Sequence, residues 1–223
     1  EYDWASYYSL IRKLQPEAVI AVMGPDVRWV GTETGYGRDT EWSVVPTSNL
    51  EQNTIADGSQ QQMNIKPAGD MRHKDLGSRE KIKTAKGLVW YPAETDVSIR
   101  PGWFYHGHED AKVKSPEKLL DIYLNSVGKN GVLLLNIPPT TEGLIHHIDQ
   151  NNLEKWKNLR DEIFSNNLIE AKSVKLVKNS NRKKVNYKGD QVWTTKKEGQ
   201  SLVFEYKSAS DVKFNILQLG EYI

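Results

Sequence analysis

Three glutamates in the sequence stand beside aromatic rings near the ends of apolar runs: Glu33 near Trp29 and Tyr36, Glu41 beside Trp42, and Glu94 just after Trp90 and Tyr91, with Trp103 close behind. Aromatic faces next to carboxylates suit a sugar-binding site. Cleavage of a glycosidic bond uses two carboxyl groups, one protonated to assist the leaving oxygen and one ionised, and an apolar wall helps to keep the acid protonated. Composition alone leaves this reading beside that of an unspecified barrel enzyme. No phosphate loop, dinucleotide fingerprint, zinc-binding helix motif or esterase nucleophile elbow occurs. His146-His147 is an adjacent pair, which cannot face one way on a helix, and reads as surface.

The chain around these residues is 223 long, with 30 Lys+Arg against 29 Asp+Glu, 38% hydrophobic residues and no cysteine. Collagen-like, disulfide-stapled and intrinsically disordered classes are excluded. Without cysteine there are no thiolate metal sites or redox motifs, and the compartment cannot be read from disulfide use. No apolar run approaches the roughly 18 to 20 residues of a membrane span, and the first residues carry no targeting segment. Charge divides unevenly, with 11 Lys+Arg and 6 Asp+Glu in residues 170–223 and 19 and 23 in residues 1–169, which predicts two modules. The lysines of the last part (Lys172, Lys175, Lys178, Lys183, Lys184) alternate with Val174, Leu176, Val177 and Val185, as solvated β-strand edges do, so nucleic acid is not implied.

Trp4, Tyr7 or Tyr8, Ile11 and Leu14 fall at helical spacing, and Gln15-Pro16 closes that helix before the apolar run Ala18–Val22, read as a buried strand. Residues 24–37 form a loop rich in glycine, and residues 38–86 are a polar stretch read as a lid or as partly disordered. Gly87–Tyr91, Gly102–His106 and Val132–Ile137 read as further strands, the last broken by Pro138-Pro139. Ser115-Pro116 opens an amphipathic helix with Leu119, Leu120, Tyr123, Leu124 and Val127 inward, ending at Gly128. Residues 149–164 predict another helix, with Asp149 as cap and Leu153, Trp156, Leu159, Ile163 and Phe164 inward. Fully apolar strands alternating with helices predict an α/β fold with parallel strands buried on both faces, as an open sheet or part of a (β/α)8 barrel. Chemistry then gathers at the C-terminal ends of the strands. From about Glu170 short alternating runs, such as 201–206 and 212–216, parted by turns at 188–190 and 198–199, predict an antiparallel β-module.

The runs Gly24-Pro25-Asp26-Val27-Arg28-Trp29-Val30-Gly31-Thr32-Glu33-Thr34-Gly35, Trp90–His106 (WYPAETDVSIRPGWFYH) and Gly131–Pro139 (GVLLLNIPP) together resemble the α-L-fucosidases of glycoside hydrolase family 29. They are more similar to the branch that cleaves α-1,3- and α-1,4-linked fucose from Lewis-type glycans than to the broad aryl-fucosidase branch. The resemblance implies a retaining mechanism on a partial (β/α)8 TIM-like barrel over residues 1–168, followed by the start of an antiparallel β-sandwich over 169–223. It implies Glu33 as acid/base, shielded by Trp29 or Tyr36, and Trp103 as the aromatic lining the apolar face of fucose. Glu94, just after a strand in an equally specific motif, is the rival acid/base; the favoured expectation is that Arg100 holds it ionised to bind or orient a sugar hydroxyl. Trp29 and Arg28 join the substrate-binding set, with Asp26 and Arg28 pairing to fix the loop.

The family's nucleophile lies in a Trp-Phe-Asp-Gly-like motif that this sequence lacks, and Asp3 falls past it, so the nucleophile is expected upstream of residue 1. About four barrel strands are present, which implies a fragment whose partner is the remainder of the same enzyme. The implied substrate is a fucosylated oligosaccharide; no metal or cofactor, nucleic acid or membrane span is implied, and a periplasmic or secreted location follows by analogy. The competing expectations are a catalytically inactive relative or fragment that binds fucosylated glycans, and a barrel glycosidase of other specificity.

Overall fold

Asp3 begins the ordered architecture by capping a helix: its carboxylate accepts hydrogen bonds from the Ser6 N–H at 3.1 Å and the Ser6 hydroxyl at 2.6 Å, and residues Trp4–Leu14 wind up behind it. The computed structural model describes residues 2–21, 25–39, 41–47, 79–85 and 87–165, and the strand segments 174–178, 182–187, 190–195 and 203–206. Within the helix Tyr8 is buried while Trp4, Tyr7, Leu10 and Leu14 are exposed.

The strand expected at Ala18–Val22 does not form over its described residues, 18–21. Its backbone groups are taken by side chains and a turn. Arg12 donates to the Ala18 carbonyl, the Ile20 N–H donates to the Asp26 carboxylate at 2.7 Å, and the Asp26 N–H donates back to the Ile20 carbonyl. The strand falls later, at Arg28–Trp29 (β1), inside what reads as a loop.

β1 pairs in parallel with Ala93–Ser98 (β4), which pairs in parallel with Val132–Asn136 (β5), in the order β1-β4-β5. Gly87–Trp90 (β3) is a strand as expected, but it pairs antiparallel with Val44–Thr47 (β2) in a separate ribbon, and Trp90 is exposed. The central parallel strand is instead the polar run that follows it. Gly102–His106 forms no strand, because its carbonyls are claimed by side chains: Trp103 O by Asn136 and His106 O by Arg100.

Alternation along β4 defines two faces. Ala93, Thr95, Val97 and Ile99 are buried. The helix Pro116–Ser126 and the 31–37 loop pack there: a Cβ on Gly35 would lie 2.9 Å from both Ile122 Cγ2 and Val97 Cγ1. Glu94, Asp96 and Ser98 take the other face. Register puts Trp29 beside Glu94, and Val132, Leu134 and Asn136 beside Glu94, Asp96 and Ser98. Val132 and Leu134 are 46% and 49% exposed, so the apolar β5 is not buried on both sides as expected.

The Pro116–Ser126 helix has the expected Ser115 cap, whose hydroxyl accepts from the Lys118 N–H at 3.2 Å. Leu119, Ile122 and Ser126 are its buried residues, whereas Val127 is exposed. The last helix of the first unit begins at His147, so Asp149 lies within it, fully buried, rather than capping it, and Ile163 and Phe164 are exposed. Among the described residues no helix is long and apolar enough to cross a membrane.

The chain divides into two compact units, Glu1–Arg160 and Asp161–Ile223. In the second, Arg182–Tyr187 (β7) and Asp190–Thr195 (β8) pair antiparallel, and the turn expected at 188–190 falls on residues 188–189, outside the described ones. Val174–Lys178 (β6) and Val203–Tyr206 (β9) form another antiparallel pair, with a register shift between Leu176 and Lys178. The run 212–216, the 198–199 turn, Lys172 and residues 48–78 of the polar stretch lie outside the described residues.

Candidate active site

Glu33 and Trp103 are 70 residues apart in sequence, yet the Trp103 Nε1–H donates to Glu33 Oε2 at 3.0 Å. Both stand on loops that leave the C-terminal ends of parallel strands, Glu33 after β1 and Trp103 after β4. The Glu33 loop needs glycine at two places where φ is positive, 96° at Gly31 and 76° at Gly35. It is then fastened by Gly35 N–H to Asp96 O at 3.0 Å and Gly37 N–H to Asn125 O at 2.7 Å. The Glu33 carboxylate is exposed, and Trp103 is 37% exposed.

The polar groups of the two aromatics expected to shield Glu33 bond to other residues. The Trp29 indole donates to Asp96 Oδ1 at 2.7 Å. The Tyr36 hydroxyl donates to Asp121 Oδ2 at 2.5 Å and accepts from the Lys118 ammonium, which tethers the loop to the Pro116–Ser126 helix. Trp103 reaches Glu33 through its indole N–H.

Glu94 lies on the face of β4 that Trp29 shares, is 6% exposed, and its Oε1 has no hydrogen-bond partner among the described residues. Burial pushes its carboxyl above the usual carboxylate range, and the neighbouring Asp96 charge adds to the rise. Arg100 is not its counter-ion. The Arg100 Nε donates to Asp149 Oδ2 at 2.8 Å and Nη1 donates to Asp110 Oδ1 at 2.9 Å, with the guanidinium 4.6 Å from the centre of the Tyr105 ring.

Arg28 is likewise fully buried. It donates to Glu41 Oε1 at 2.5 Å and to the carbonyls of Tyr91 and Trp42 at 2.9 and 3.0 Å, so it braces the segments around the site from within. The expected Asp26–Arg28 pair is replaced by Arg12–Asp26 and Arg28–Glu41, both at 2.5 Å. Glu41 also accepts from the Arg38 guanidinium and backbone N–H at 2.8 and 3.0 Å, which makes it a structural carboxylate. Beside Arg28, burial pushes the Tyr91 hydroxyl up to about 12.

The sequence does not single out Asp96, Ser98 or Asn136 for the site, and it marks Asp149 only as a helix cap. The first two were detectable in the period-two polar alternation Glu94, Asp96, Ser98, which marks one face of a strand. His146 is half-buried, its Nε2 3.7 Å from Asp110 Oδ2, and His147 is exposed with the two rings 4.3 Å apart. Among the described residues no group of three or more His, Asp or Glu is arranged to hold a metal ion.

Residues 3–159 match the family model described as alpha-L-fucosidase. Over 232 aligned residues the chain is 37% identical to alpha-L-fucosidase 1 of Arabidopsis thaliana, covering all of this chain and 42% of that protein. A crystal structure of a candidate α-L-fucosidase from Bacteroides ovatus is similar with a TM-score of 0.66 and 44% identity, over 82% of this chain and 31% of that one. A Ruminococcus gnavus family 29 fucosidase in complex with fucose is similar at 26% identity and a TM-score of 0.52, over 79% and 33% of the two chains. The chain thus spans well under half the length of these relatives.

Proposed function

The chain belongs to the α-L-fucosidase family, and on that premise we propose that it supplies the acid/base side of an active site that hydrolyses α-L-fucosides. Glu33 protonates the departing glycosidic oxygen and then deprotonates the water that releases fucose, as a retaining mechanism requires. The attacking aspartate comes from barrel strands outside the described ones. The parallel sheet is an arc of a (β/α)8 barrel, with the rest of that barrel covering the exposed Val132 and Leu134 face, and residues 169–223 begin a β-sandwich.

The observation that carries this reading is the 3.0 Å contact between Trp103 Nε1 and Glu33 Oε2. It joins residues from two separate family-like motifs where a barrel enzyme does its chemistry. Trp103 offers its ring to the apolar face of fucose and its N–H to Glu33, and Glu94 accepts from a sugar hydroxyl. Trp29 shapes the same wall through Asp96, while Arg28 and Arg100 act by bracing loops, not by touching sugar. The motifs around Glu33 and Trp103 favour α-1,3/1,4-linked fucose on branched glycans.

Fucose release from a Lewis a trisaccharide tests the reading, run beside the Glu33→Gln variant. The variant is expected to lose about 10²- to 10⁴-fold in kcat/KM, the usual worth of a general acid. Full activity in that variant would overturn the assignment. Binding of the trisaccharide without hydrolysis by either protein would favour a glycan-binding role.

A further inference from the structure

Asn136 ends β5 at the register position beside Ser98, on the strand face shared with Asp96. Its Nδ2 donates twice, to Ser98 Oγ at 3.1 Å and to the backbone carbonyl of Trp103 at 3.0 Å, and its backbone carbonyl accepts from the Ile99 N–H at 2.9 Å. Ser98 is fixed in turn: its hydroxyl also accepts from the Arg100 N–H at 3.3 Å, and its carbonyl accepts from Lys114 Nζ at 2.7 Å. Both amide hydrogens of Asn136 therefore have acceptors, and one of them sits on the residue whose indole meets Glu33.

We propose that Asn136 is a positioning residue for proton transfer by Glu33, acting through Trp103: it pins the Trp103 carbonyl to the end of β5 and so aims the indole N–H at the Glu33 carboxylate. The proposal rests on the acid/base reading of Glu33. The need for such a pin follows from the loop. Residues 102–106 have no strand ladder to hold them, and Phe104, next to Trp103, is 77% exposed. The chemistry selects asparagine at the Trp103 end of the bridge: a backbone carbonyl only accepts, so it requires an N–H donor on the planar, uncharged amide, and an aspartate of the same shape would face that carbonyl with a lone pair while still able to accept from the Ser98 hydroxyl. A misplacement of about 1 Å at a proton-transfer group is enough to cost on the order of 10²-fold in rate.

The role has a signature that loss of packing lacks. A glycan leaves as a poor leaving group and needs the acid, whereas 2-chloro-4-nitrophenol leaves from an aryl fucoside as a stabilised phenolate without it. In the full-length protein, Asn136→Asp is expected to lower kcat/KM for the Lewis a trisaccharide by about tenfold or more and for the aryl fucoside by less than about threefold. Asn136→Ser, whose hydroxyl is one bond nearer the backbone and leaves the Trp103 carbonyl without its donor, is expected to show the same selective loss, and it carries the test should the aspartate variant not fold. In a Trp103→Phe background, which removes the indole N–H, the effect of Asn136→Asp on the trisaccharide is expected to vanish, since groups acting through one contact are not additive.

Equal losses on both substrates, or an unchanged ratio between them, would overturn the proposal. Glu33→Gln measured in the same series separates the two levels. If it leaves trisaccharide hydrolysis intact, the acid/base reading falls and this proposal with it. If it abolishes hydrolysis while Asn136→Asp leaves the leaving-group ratio unchanged, the proposal alone falls.

Discussion

The loop that carries Glu33 and the loop that carries Trp103 meet at one hydrogen bond but are held in different ways. The first is fastened along its length by Gly35 to Asp96, Tyr36 to Asp121 and Gly37 to Asn125. The second hangs from side chains that reach in beneath it, Asn136 to the Trp103 carbonyl and Arg100 to the His106 carbonyl. Each loop lies near a buried arginine, and the balance differs there too. Arg28 has its pKa lowered, because burial outweighs the attraction of Glu41. Arg100 has its pKa raised, because hydrogen bonds to Asp149 and Asp110 overcome the cost of burial. Both stay charged, since guanidinium does not lose its proton in proteins. The lesson is that arginines within the family-like motifs can be buried to serve loop geometry, a role their motif membership does not reveal.

The sharpest way to break the contrast is at Asp149. Asp149→Ala leaves the buried Arg100 guanidinium short of one of its two carboxylates, and removing one member of a buried pair costs about 3–5 kcal/mol. Chemical denaturation measures that loss. Hydrogen exchange is expected to quicken at 101–106 and stay slow at 31–37; equal quickening would erase the distinction between the loops.

A smaller effect is expected at Gly35. Gly35→Ala forces a side chain onto a residue at φ 76° and sets its Cβ 2.9 Å from Ile122 and Val97. A cost of about 1–3 kcal/mol follows from the strained backbone and overpacking, with the loosening confined to the Glu33 loop.

Glu94 sits on the strand between the two loops and gives the smallest and most pH-dependent effect. Its folded pKa is raised, so the folded state binds its proton more tightly than the unfolded chain does. Its contribution to stability is complete at pH values below the ordinary carboxylate range and is lost as pH rises through the folded pKa. Glu94→Gln is therefore expected to raise the melting temperature at neutral pH and to match the parent near pH 4, while weakening fucoside hydrolysis. A melting difference that does not change with pH would disprove the burial account.

What the sequence disclosed followed from how fully each segment's physics is local. Trp4–Leu14, Pro116–Ser126 and Val132–Asn136 were legible because their periodicity or caps lie within the segment. Ala93–Ser98 was hidden because the face that would mark it as a strand is built of Glu94, Asp96 and Ser98, polar groups set toward the proposed site. Ala18–Ala21 misled because its apolar residues imply a ladder, whereas Arg12 and Asp26 supply the hydrogen bonds from outside it. Glu33 and Trp103 were each legible as candidates, but their contact was not, since it depends on loops brought together by a sheet.

That sheet also fixes the order in which the chain acquires its shape. Arg28 reaches the Tyr91 carbonyl across 63 residues and Trp29 reaches Asp96 across 67, so the first loop has no seat until the central strand exists. Contacts this distant in sequence close late, because the chain must lose much of its freedom before any of them forms. The antiparallel pairing of β7 with β8, its neighbour in sequence, carries no such delay. The proposed acid/base is therefore expected to come into register among the last events of folding, after the helices and the β7–β8 pair have formed.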